Sequence, residues 1–211
     1  MELRSSNNDR MILEGIVTTV NIDGSVNISP MGPEVDRLQT TLVLKPFATS
    51  RTYANLLRTH CGVFHVVDDS LLLASAAIDR WVEKPNCRFD ESIDGYVLPD
   101  ACRALVFELG EVVSEGPRNI LGCRINKRLQ WRDGFGWNRA QHAVLELAIL
   151  ATRLHLIESE RLVAEIRQLR PLVEKTGGDR ERQAWQLLLA RISETVTDVD
   201  EWDDLFLPRP T

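Results

Sequence analysis

The sequence predicts an α+β chain that is mainly β: an antiparallel barrel followed by a C-terminal α-helical segment. Up to about residue 135 the chain is a succession of short runs rich in Val, Ile and Thr, separated by Gly, Pro and Asp turns, which is the pattern of strands. The first two runs are joined by Asp23-Gly24, residue types that tolerate positive φ and suit a tight antiparallel hairpin. From Asn138 onward the apolar period changes from two to that of a helix. Many short strands with few helices between them argue against a parallel doubly wound sheet.

The elements follow in order. Residues 1–10 are polar and expected to be flexible. Met11 to Val20 makes the first strand and Val26 to Met31 its return, with Val26 and Ile28 on one face and Asn27, Ser29 and Met31 on the other. Pro30 and Pro33 bracket a bend containing Gly32, and TTLVL gives a strand over about 39–44. Ser50 then offers an N-cap, Tyr53, Leu56, Leu57 and Cys61 recur at helical spacing, and Gly62 is the expected stop. Val63 to Val67 is a buried strand closed by Asp68-Asp69. A short helix over Ser70 to Trp81 and a long excursion over 82–102 come next. Ala104 to Val113 and Asn119 to Trp131 are two more strands, joined through Glu115-Gly116-Pro117.

In the last third, Asn138 with Gln141 resembles a capping box. Val144, Leu147, Ala148, Ala151 and Leu154 then form one apolar stripe. A second helix spans about 159–175, kinked or restarted at Pro171, and a third spans 179–195 after Gly177-Gly178. The expected organisation is therefore a flexible 1–10, a barrel domain over 11–135, a helical segment over 138–196 and an acidic tail over 197–211. In the tail Trp202, Leu205 and Phe206 supply an apolar anchor.

The chain of 211 residues carries 25 Lys and Arg against 31 Asp and Glu, a formal charge of −6 without a basic block. That composition disfavours nucleic acid and anionic membranes as partners. No run is apolar enough to span a bilayer and the N-terminus lacks an apolar signal core, so a cytoplasmic protein is expected. Cys61, Cys87, Cys102 and Cys123 form no C-x-x-C pair, and the four histidines miss the usual metal spacings. Reduced thiols and no metal chemistry are the expectation. Dinucleotide, P-loop and nucleophile-elbow signatures are missing as well.

Two clusters could carry chemistry. Lys45-Pro46-Phe47-Ala48-Thr49-Ser50-Arg51-Thr52-Tyr53-Ala54-Asn55 sits where a strand hands over to a helix N-terminus. The first N–H groups of a helix lack intrahelical partners and its dipole favours an anion there. Hydroxyls of Thr49, Ser50 and Thr52 with a cation from Lys45 or Arg51 would complete a phosphate cradle. The plainer reading is that Ser50 is only a cap. The second cluster is Asn27-Ile28-Ser29-Pro30-Met31-Gly32-Pro33, where Gly32 allows close backbone approach to a flat ligand and Asn27 and Ser29 offer hydrogen bonds. Its plainer reading is a strand end turning a barrel corner.

The order ILEGIVTTVNIDGSVNISPMGP, LKPFATSRTYANLLRTHCGVFHVVDD and NRAQHAVLELAILATRLHLI resembles the flavin-binding split-barrel family known as Domain of Unknown Function 447. The middle segment is also similar to the wider flavin reductase-like group, in which an S-x-x-T-x-x-N-like stretch opens a helix beside the FMN phosphate. Thr52 and Asn55 match the last two positions; Thr49 fits the first as a hydroxyl, with Ser50 one residue late. The resemblance implies a six-stranded Greek-key split barrel, a homodimer and FMN at the subunit interface. Thr49, Ser50, Thr52 and Lys45 or Arg51 would hold the phosphate, and the Asn27 to Gly32 stretch, with Pro30 and Met31, would lie along the ring. It does not imply a known substrate. An NAD(P)H-linked flavin reductase-like oxidoreductase is the leading expectation.

Other readings stay open beside it. A flavin carrier or sensor without turnover shares the same features, and a barrel whose helical end and acidic tail dock a partner is a third. His142 and Glu146 are more simply a helix-surface pair than an acid–base pair, and Asn138 more simply a cap than a ligand. Trp131 and Trp137 are expected in the core rather than on a flavin, and Asp68-Asp69 is a turn.

Overall fold

The structure is a computed structural model describing residues 10–115, 118–197, 199 and 202–208. By internal contact the chain forms two compact units: residues 1–67 with 85–134, and residues 68–84 with 135–211. The second unit thus takes in a piece from the middle of the chain.

In the first unit, strands β1 (Arg10–Ile12) and β2 (Gly15–Val20) pair with β4 (Glu34–Asp36) and β3 (Val26–Met31). Val20 opposes Val26, Gly15 opposes Met31, Ile12 opposes Glu34 and Arg10 opposes Asp36. These pairs share one unbroken register, and Leu13 N donates to Pro33 O across the gap at 3.0 Å. The two strands of the sequence reading are therefore arms of one long hairpin, bent at Leu13–Glu14 and Gly32–Pro33. Arg10, expected to be flexible, opens β1; the rest of that stretch lies outside the described residues.

The hairpin turn forms at Asp23-Gly24 as expected. Gly24 has φ 82°, Asn21 N donates to Ser25 O at 2.8 Å, and Asp23 accepts from the Ser25 amide at 3.0 Å.

The remaining strands are β5 (Thr41–Leu44), β6 (Cys61–Val66), β7 (Arg88–Asp90), β8 (Gly95–Val97), β9 (Arg103–Glu115) and β10 (Arg118–Gln130). The main sheet runs β1-β4-β5-β10-β9-β6-β2-β3, antiparallel throughout. Because the bent hairpin meets β5 with one half and β6 with the other, the sheet curls round into a barrel of six chain segments. The outer edges of β1 and β3 carry no strand in this order, so the barrel is split there. Pro30 fits that position, since an edge strand tolerates a missing donor. Register shifts between Leu121 and Cys123 and between Ile125 and Lys127 help the long β9–β10 hairpin to bend.

Alternation decides which side chains fill the barrel. Leu13, Val17, Met31 and Val35 point inward and join Leu42, Leu44, Phe64, Leu105, Phe107 and Leu121 in its core. Ile16 and Thr18 point outward yet are buried, because the 85–102 excursion covers them. That excursion, left without elements by the sequence, contains the β7–β8 hairpin. Thr18 Oγ1 donates to Tyr96 O at 2.6 Å, Leu98 N donates to His65 Nε2 at 3.1 Å, and Trp131 stacks on His65.

The second unit gathers helices α2 (Ser70–Ile78), α3 (Arg139–Ala151), α4 (Ser159–Thr176), α5 (Asp179–Thr195) and α6 (Trp202–Leu205). The first helix in chain order, αN (Arg51–Thr59), belongs to the first unit. Leu71, Val144, Leu147, Ile166, Trp185, Leu188 and Ile192 share one apolar core. Asn138 caps α3 by accepting from the Ala140 and Gln141 amides at 2.8 and 3.1 Å. The expected capping-box partner, Gln141, instead donates to Asp68 O at 3.0 Å. Pro171 lies inside α4, a single assigned element rather than one restarted there. The tail's anchor docks within this unit: Leu205 is buried, Trp202 and Phe206 pack partly buried against the same core, and Trp185 Nε1 donates to Leu205 O at 3.1 Å. Its acids Asp198, Asp200 and Glu201 lie outside the described residues.

Candidate functional site

The strand-to-helix handover after β5 produces helix αN (Arg51–Thr59). Ser50 is its N-cap, with extended backbone angles of −77° and 146°, and its hydroxyl accepts from Tyr53 N at 3.2 Å. The cap satisfies the third amide of the helix, that of Tyr53. No acidic residue occupies that turn, and Thr49 and Arg51 beside it are exposed. The arrangement is an electropositive corner that favours an anion. The helix ends at His60, in the left-handed conformation at φ 55°, whose amide donates to Leu56 O at 2.9 Å. Gly62, the expected stop, lies in β6, where Phe107 and Leu56 leave no room for a Cβ.

The next turn of αN faces the barrel. Asn55 Nδ2 donates to Thr19 Oγ1 at 3.0 Å and to Asn21 Oδ1 at 2.8 Å. Asn27 Nδ2 donates to the same Thr19 hydroxyl at 3.1 Å and to Thr52 Oγ1 at 3.0 Å. Thr19, Asn27, Thr52 and Asn55 are all buried. The structure therefore brings Asn27, Thr52 and Asn55 together as a polar clamp that fixes αN on the β2–β3 hairpin. Tyr53 and Met31 pack against the barrel core, and Ser29 shares their inward parity and is half-buried.

On the outward face of the same hairpin lie Pro30, half-buried, and Gly32, exposed. Lys45, at the end of β5, forms an ion pair with Glu34 of β4, two residues beyond Gly32. This pair links the αN approach to the outward corner of the bent hairpin. Sequence reasoning missed Thr19 and Glu34. Only the pairing register brings them to the site, and no motif marks them.

Several other candidates resolve plainly. Trp137, expected in the core, is 93% exposed and stacks on His142 with ring centroids 5.5 Å apart. Trp131 is half-buried against His65. Asp69 caps α2 and pairs with Arg180, while Asp68 accepts from Phe135 N at 2.9 Å. The four cysteines are free thiols, and burial pushes Cys87 up to about 11 and Cys123 up to about 12. Among the described residues no helix is long and apolar enough to cross a membrane, and no three His, Cys, Asp or Glu side chains gather where they could hold a metal.

A split antiparallel barrel with a capped, acid-free helix start at its open corner, followed by a helical unit, defines a split-barrel protein. Family comparison agrees. Residues 13–130 match the N-terminal domain, and residues 138–190 the C-terminal part, of a family described as protein of unknown function, DUF447. The chain belongs to that family.

Among solved structures it is similar to an FMN-bound DUF447 protein from Methanosarcina mazei, at 24% identity and a TM-score of 0.73, over 85% of this chain and 94% of that one. It is also similar to an FMN-binding protein from Thermus thermophilus (12% identity, TM-score 0.48, 62% and 80% covered). A third is the flavin reductase of styrene monooxygenase from Pseudomonas putida S12 (11%, 0.47, 56% and 79%). No curated protein matches the sequence.

Proposed function

We propose that this protein is an FMN-binding flavoprotein, a flavin reductase-like oxidoreductase that works as a homodimer and draws electrons from NAD(P)H. The observation that carries the reading is the αN start. A capped N-terminus, no acid in its first turn, and the exposed Thr49 and Arg51 suit the phosphate of a mononucleotide. The FMN-bound family member from Methanosarcina mazei supports the choice of anion.

The residues present fit the cofactor. Thr49 and Arg51 would hold the phosphate at the N-terminus of αN, and Ser50 and Thr52 would set the helix that presents them. Asn27 and Asn55 would keep that helix seated. Lys45, oriented by Glu34, would add positive potential beside the cradle. The strand edge from Ser29 through Pro30 and Met31 to Gly32 would lie along the ring. When bound, FMN supplies the hydride and electron transfer; the chain contributes binding, orientation and electrostatic tuning. Met11 and Ile12 of the edge strand β1, exposed at 65% and 63%, support a second copy covering it.

The protein purified without added cofactor should be yellow and, after heat release, yield FMN in near one-to-one amount against flavin standards. Arg51→Ala with Thr49→Ala should weaken FMN binding at least tenfold; unchanged affinity would remove the phosphate assignment. Steady-state NADH or NADPH oxidation with a flavin or quinone acceptor should proceed with the holoprotein. A bound flavin that never turns over would leave the carrier or sensor reading in its place.

A further inference from the structure

We propose that Glu14 is a ligand-facing residue of the flavin site, accepting the ring's imide N–H and setting its potential. The inference rests on the FMN reading above. In the register of the bent hairpin Glu14 stands opposite Gly32, one step beyond the Gly15–Met31 pair. A Cβ built on Gly32 would lie 2.6 Å and 2.7 Å from the two carboxylate oxygens of Glu14 and 2.7 Å from Cγ2 of Ile12. The carboxylate and the Ile12 methyl therefore occupy the space that a side chain at position 32 would need.

Gly32 thus makes room for this carboxylate at the very corner where the hairpin bends. Glu14 shares the outward parity of Pro30, Gly32 and Glu34, the face that leads to Lys45 and the αN approach. The site is then polarised along its length. One end is an anion cradle at Thr49 to Arg51; the other presents an acceptor-only group, since an ionised carboxylate donates no hydrogen bond. A ligand matched to both ends carries a phosphate at one and an N–H at the other, as FMN does. A fixed negative charge beside the ring also opposes the arrival of negative charge on reduction.

The test compares wild type, Glu14→Gln, Glu14→Ala and Gly32→Ala for FMN Kd by fluorescence quenching, midpoint potential and melting temperature. Glutamine keeps an acceptor and loses the charge, so Glu14→Gln should stay within about threefold of wild-type Kd while its potential moves positive. Glu14→Ala loses the acceptor and should bind about tenfold more weakly, and Gly32→Ala should follow it. A purely structural Glu14 would lower the melting temperature and leave the potential of Glu14→Gln unmoved, which overturns the inference. Wild-type Kd and potential in all three variants also overturn it while leaving the FMN reading intact. Failure of the wild type itself to bind FMN removes both.

Discussion

His65 shows how much a single buried side chain can hold. It stands on β6, fully buried beneath the 85–102 excursion. Its Nε2 accepts from Leu98 N at 3.1 Å, which places the proton on Nδ1, 3.3 Å from Ile16 O. Both ring nitrogens are satisfied only in the neutral form, and burial lowers the pKa to about 4 from an ordinary 6.5. A folded-state value below the unfolded one favours the neutral ring. Its contribution is complete above pH 6.5 and is lost as pH falls toward 4. The loss should reach roughly 2 kcal/mol by pH 5. Denaturant melts at pH 7.5 and 5.5 should show the decline, and His65→Gln should flatten it. An equal decline in that variant would assign the acid sensitivity elsewhere.

Among the elements, αN carries two jobs on successive turns. Its start faces outward as an anion corner, while Thr52 and Asn55, three residues apart, face the barrel in the buried polar clamp. The two jobs should separate by mutation. Asn55→Ala leaves Thr19 and Asn21 short of a donor inside the clamp and should cost about 1–3 kcal/mol of stability. Arg51→Ala on the exposed side should lower FMN affinity with the melting temperature unchanged. Equal melting temperatures for both would deny the clamp its structural role.

The sequence made the cap legible, because Ser50 ahead of a helical apolar pattern is a local signal. It also made the hairpin legible, through Asp23-Gly24 between β-branched runs. The bend at Leu13–Glu14 was not legible, since no special residue marks it on that arm and the bend exists only once β4 meets β5. The helix stop was misplaced because His60 adopts the left-handed conformation without being a glycine. Trp137 was misassigned because an aromatic beside a helix start looks the same in sequence whether it packs inward or on an exposed histidine.

At the scale of the whole molecule, the chain's order and its packing disagree. The family match passes from its N-terminal to its C-terminal part between residues 130 and 138, yet 68–84 packs with the later helices. The physical reason lies in α2. Leu71 and Ala74 are buried in the core that α3 and α5 complete, and Asp69 at its cap is paired with Arg180 of α5. A chain ended after Gly134 would therefore expose this apolar face within an otherwise complete barrel unit. Leaving one buried leucine exposed already costs about 1.5–3 kcal/mol of hydrophobic stabilisation. Such a truncation should bind an apolar dye and melt without a sharp transition. Replacing residues 68–84 of the truncated chain by a flexible Gly/Ser linker of equal length should abolish the dye binding and restore a cooperative melt. If the simple truncation already melts cooperatively and binds no dye, α2 does not depend on the later helices, and the contact-defined units are not units of stability.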